Sequence, residues 1–98
     1  MLSALTQKWL DRVDYDLKTA DAMLNAGRYI YVVFMCQQAI EKCLKALAVH
    51  QGGEVVPMHN LRRLAQLVRV VFNEEKLIKL DFLSEYYINS RYKEDLAE

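Results

Sequence analysis

CQQAIEKCLKAL, residues 36–47, follows directly on IYVVFM, Ile30–Met35. A surface helix is apolar along one stripe, so this run marks a helix that several neighbours must cover. In the next turns Ile40, Cys43, Leu44 and Leu47 continue the core stripe, while Gln37, Glu41 and Lys45 recur at i, i+4 and i+8. The polar residues thus form a stripe of their own within a helix running from about Arg28 or Tyr29 to His50, where Gln51-Gly52-Gly53 stops it. Burial of such groups is tolerable only when each finds a hydrogen-bond or charge partner. Glu41 with Lys45 is one internal pairing, and the glutamines can donate and accept across an interface. Gln37, Gln38, Glu41, Lys42 and Lys45 are therefore expected to face a dimer interface or its adjoining cleft.

Upstream, Leu10, Val13, Leu17, Ala20 and Leu24 follow steps of three and four and predict an amphipathic helix with one core seam. Asp14 with Lys18, and Arg12 with Asp16, read as pairs on its solvated face. Asn25-Ala26-Gly27 supplies a left-handed C-terminal cap. Downstream, the loop GEVVPMH leads to Asn60, an N-cap for a helix over Leu61, Leu64, Ala65, Leu67, Val68 and Val71. Asn73 opens a last helix over Leu77, Ile78, Leu80, Phe82, Leu83 and Tyr87, with Glu74 and Glu75 at its positive end. Asn89-Ser90 is expected to end that helix, leaving RYKEDLAE too short and polar for another. No strand-like alternation is present. The pattern is all-α: one domain, residues 1–98, built as an antiparallel up-and-down bundle of about four helices.

Composition narrows the function. The chain is 53% apolar and 27% charged, and thirteen basic residues balance thirteen acidic ones, so no overall charge draws it toward nucleic acid or membrane. With no run of eighteen apolar residues and no apolar signal core in MLSALTQKWLDR, a cytoplasmic location is expected. Cys36 and Cys43 lie about 10 Å apart along one helix, beyond disulfide reach, and read as reduced, small core residues.

Cys36, Cys43 and His50 recur every seven residues, but zinc needs its donors about 2.0 to 2.3 Å from one centre, which residues two turns apart on one helix cannot supply. No metal, no cofactor, no phosphate loop and no nucleophile elbow is indicated. His59, after Pro57-Met58, reads as a loop imidazole that fixes the turn; as an acid/base or ligand group it would need a partner that the sequence does not identify.

The ordered blocks WLDRVDYDLKTADAML, Gly27, YVVFMCQQAIEKCLKALAVHQG, HNL and SRY together resemble the HEPN domain of prokaryotes. The most specific part is Gln37-Gln38-Ala39 with Glu41-Lys42, joined by His59-Asn60-Leu61 and Ser90-Arg91-Tyr92. The resemblance implies an antiparallel helical bundle that commonly forms a homodimer and is often encoded beside a minimal nucleotidyltransferase, in modules similar to toxin–antitoxin pairs. It also implies nucleotide or RNA binding, for which His59, Arg91 and Tyr92 are the candidates. Members of this type continue past the SRY segment into one more amphipathic helix, so a bundle ending at Glu98 is expected to have an uncovered flank.

Many HEPN members are metal-independent ribonucleases with an Arg, four to six residues and then a His. Counting on from Arg91, the matching positions hold Leu96, Ala97 and Glu98, and none of the other five arginines has a His at that spacing. The sequence therefore leans away from an enzyme, toward an accessory binding subunit of a separately encoded nucleotidyltransferase. Two alternatives stand beside it: a ribonuclease whose degenerate site brings His59 and Arg91 together, and a purely structural homodimeric bundle.

Overall fold

The first helix starts where Ser3 accepts a hydrogen bond from the Thr6 amide at 3.1 Å, satisfying one of the donors that a helix start leaves free. In the computed structural model, residues 2–54 and 57–96 are described, with side chains as far as Tyr87. Four helices result: α1 (Ala4–Asn25), α2 (Tyr29–His50), α3 (Leu61–Leu67) and α4 (Glu74–Leu96). Asn60 and Asn73 cap α3 and α4 as the sequence predicts, their Oδ1 atoms accepting from the amides of Arg63 and Lys76, both at 2.9 Å. No helix among the described residues is long and apolar enough to cross a membrane.

Three helices end on one design. After α1, Arg28 N–H reaches the Met23 carbonyl and Gly27 N–H the Leu24 carbonyl, with Gly27 at φ 72°. After α2, Gly53 reaches Ala48 and Gly52 reaches Val49, with Gly52 at φ 84°. After α3, Val70 reaches Ala65 and Arg69 reaches Gln66, with Arg69 at φ 62°. Each is the paired closure that needs one left-handed residue just past the helix. In the third, an arginine stands where glycine is favoured. The helix predicted through Val71 therefore ends earlier, at Leu67, and Val71 is 95% exposed.

α4 departs from expectation in the other direction. It continues through Asn89 and Ser90 to Leu96, because neither residue blocks a helix interior as proline would; each costs well under about 1 kcal/mol of propensity.

α2 is the central element. It lies antiparallel to α1 on one side and packs against α3 and α4 on the other; among the described residues α1 packs on α2 alone. The core gathers Leu44 and Ala48 of α2, Leu61, Leu64 and Ala65 of α3, Val68 just after it, and Leu80 of α4. α4 secures α3 twice. Ser84 Oγ accepts from the Leu61 amide at 3.0 Å, and Arg62 forks onto Asp81 through Nε (3.0 Å) and Nη2 (2.9 Å). The Asp81 hydrogen bond holds the Arg62 guanidinium above even its ordinary range, so the guanidinium stays charged.

The expected cover over the first half of α2 is incomplete. Tyr29, Ile30 and Tyr31 are exposed, and Val32 to Cys36 are only half-buried. Leu17 and Leu24, assigned to the α1 seam, are also exposed, because the face against α2 is centred on Thr6, Asp16 and Ala20. Cys43, expected in the core, is exposed as well.

The left-handed Arg69 yields a stability prediction. Arg69→Gly removes a left-handed strain of about 1 to 2 kcal/mol against a glycine entropy cost of about 0.5 to 1 kcal/mol. A net gain of about 0.5 to 1 kcal/mol, a few degrees in Tm, is expected by thermal denaturation. Arg69→Val should lower Tm instead.

Candidate functional site

α2 carries Gln37, Glu41 and Lys45 on the side facing α3 and α4, and the loop before α3 carries His59 to the same place. Gln37 is 0% exposed, Glu41 4% and Lys45 7%. Each polar group has a partner within the chain. Glu41 Oε2 accepts from Lys45 Nζ at 3.1 Å; its Oε1 accepts from Gln37 Nε2 at 3.2 Å and lies 2.9 Å from His59 Nδ1. A carboxylate only accepts, so Nδ1 carries the proton, and in the neutral ring Nε2 is the acceptor. Gln37 Oε1 accepts from Gln38 Nε2 at 2.9 Å, and Gln37 Nε2 also approaches the His59 carbonyl at 3.4 Å. Among the described residues no buried side-chain nitrogen or oxygen lacks a hydrogen bond.

His59 is the outward end of this cluster, its side chain 52% exposed. Its ring lies against Tyr87 of α4, centroids 5.8 Å apart, and Tyr87 in turn stacks on Phe34 of α2 at 5.1 Å. An imidazole is thus oriented by a buried carboxylate and backed by an aromatic pair. Such a ring can accept a hydrogen bond or move a proton.

The polar stripe has hydrogen-bond partners within the chain. Gln37, Glu41 and Lys45 are each hydrogen-bonded inside the chain. Gln38 and Lys42 are half-buried on the adjoining side. Lys42 Nζ bonds Asp16 Oδ2 of α1 at 2.7 Å, and Asp16 is 3% exposed. Asp16 is thus no member of a solvated face. Its pairing with Arg12 gives way to a buried one across helices, and Arg12 instead lies over the Trp9 ring, 5.5 Å from its centre. The expected pair of Asp14 with Lys18 is present at 2.9 Å, both ends exposed.

The two sequence blocks around Gln37-Gln38-Ala39 and His59-Asn60-Leu61 come into contact here, through Glu41 and Gln37. The HEPN domain family profile matches residues 6–98. The chain belongs to the HEPN domain family. No curated protein and no solved structure matches it. In this HEPN domain Arg91 and Tyr92 lie on the last turns of α4, and their side chains fall outside the described residues.

The missing partner of His59 is therefore Glu41, eighteen residues earlier. The i, i+4 spacing signals Glu41 with Lys45, but no local spacing signals the pair with His59.

The buried charges predict an unequal response to mutation. Glu41→Ala leaves Lys45 buried without a counter-charge and should cost about 3 to 5 kcal/mol. Asp14→Ala breaks an exposed pair and should cost less than about 1 kcal/mol. Urea denaturation followed by circular dichroism measures both; equal losses would show that Glu41 is solvated.

Proposed function

We propose that this HEPN domain is a non-catalytic binding subunit. It works with a separately encoded minimal nucleotidyltransferase in a module of the toxin–antitoxin type and holds a nucleotide or RNA beside His59, with Arg91 and Tyr92 as further contacts. The observation that carries the reading is the Glu41–His59 bond. It fixes the ring with Nε2 as the neutral acceptor, suited to a base amino group or a ribose hydroxyl, at a half-exposed position beside Tyr87. Cleavage of RNA would also need a cation beside the scissile phosphate. The Arg-to-His spacing that marks ribonuclease members is missing, and Lys45 is spent on Glu41.

A ribonuclease is the second reading, favoured by the same bond, since a carboxylate that orients an imidazole is also how a general base is held. One set of measurements separates the two. A minimal nucleotidyltransferase should be encoded beside the chain, and on co-expression the two products should co-purify. Titration calorimetry should show nucleotide binding that His59→Ala weakens about tenfold, the loss of roughly one hydrogen bond. No RNA should be cleaved. Cleavage abolished by His59→Ala would establish the enzyme instead, and a silent titration with no co-purifying partner would leave a structural bundle.

A further inference from the structure

Among the described residues Arg69 is the one non-glycine residue with left-handed backbone, at φ 62°. The equivalent positions after α1 and α2 are glycines, which take that conformation without strain. Left-handed residues that carry a side chain concentrate where a ligand is held. Arg69 stands at a place suited to one: it lines a cleft of about 720 Å³ between the ends of α2 and α3, with Ala48, Gln51, Glu54, Leu67 and Val68. Small-molecule clefts commonly measure about 300 to 1,000 Å³. Gln51 Nε2 donates to the Val68 carbonyl at 2.8 Å and so fixes the spacing of the two walls. Arg69 and Glu54 are both exposed, and among the described residues neither has an ion-pair partner.

We propose that this cleft binds a free α-amino acid with an aliphatic side chain, its carboxylate held by Arg69 and its ammonium by Glu54 and the carbonyl ends of the two helices. The site is distinct from the one around His59 and stands without the nucleotidyltransferase reading.

Both α2 and α3 end at the cleft, so the partial negative charge of two helix C-termini falls on it, and Glu54 adds a full one. A phosphate would meet that field as repulsion, and a simple cation would be repelled by Arg69. A ligand that carries one charge of each sign suits both walls. The guanidinium forks two N–H groups onto a carboxylate, and an ammonium has three donors for Glu54 and the carbonyls. Leu67, 51% exposed, forms with Ala48 and Val68 an apolar wall against which an aliphatic side chain leaves water. Glycine at position 69 would relieve the backbone but take the cation out of the cleft.

Titration of the intact, nitrogen-15-labelled chain with leucine, followed through amide chemical shifts, should give saturable changes centred on Gln51, Val68 and Arg69, with Kd on the order of 1 mM. Leucinamide lacks the carboxylate and 4-methylpentanoate the ammonium; each should bind at least about tenfold more weakly. Glu54→Gln should weaken leucine binding about tenfold. Arg69→Gly should raise Tm and yet weaken leucine binding at least about tenfold, whereas a merely structural arginine would move Tm alone. Absence of saturation by leucine overturns the proposal. So does equal binding of either singly charged analogue, or undiminished binding of leucine by either variant.

Discussion

Glu41 carries a charge at 4% exposure in the middle of the most apolar helix, and an ion taken out of water must be compensated where it sits. Lys45 supplies the opposite charge from the next turn, Gln37 a donor from the previous one, and His59 a donor from a separate segment. The last of these has structural reach, because it ties the entry of α3 to the centre of α2. Once His59 is fixed, Asn60 caps α3, Leu61 enters the core, and Tyr87 closes over the imidazole from α4. Asp16 with Lys42 repeats the device on the opposite side of α2 and sets how α1 lies. Two buried carboxylates thus orient three elements around one helix.

The starts of α3 and α4 and the ends of α1 and α2 were legible because they are written in residues with a local chemical preference. Asn60 and Asn73 offer side-chain acceptors, and Gly27 and Gly52 accept left-handed backbone. The end of α3 was not, since Arg69 takes the same conformation without the residue type that announces it. Asn89-Ser90 misled in the opposite sense, being compatible with turns and helices alike. Apolar periodicity identified which residues resist water but not which are covered inside one protomer. Leu17, Leu24 and Cys43 belong to apolar seams and yet are exposed.

At the candidate site, what was readable followed the helix repeat. Glu41 with Lys45 is an i, i+4 pair and needs no tertiary knowledge. His59 with Glu41 and Lys42 with Asp16 span a loop and a helix hairpin, and geometry between elements decides them. Local spacing even pointed Asp16 to the wrong partner. A buried carboxylate takes the cation that burial brings to it, not the one nearest in sequence.

The Ser84–Leu61 hydrogen bond bears on the order of assembly. α3 has seven residues, well below the roughly twelve to fifteen at which an isolated helix persists in water. One of its first amides is held by a hydroxyl twenty-three residues later, on α4. The α1–α2 hairpin closes through neighbouring sequence and can form early, whereas α3 gains its helical state only as α4 arrives. Leu61 through Leu67 therefore act as a folding clasp, and loosening the first half of α4 frees the first amide of α3.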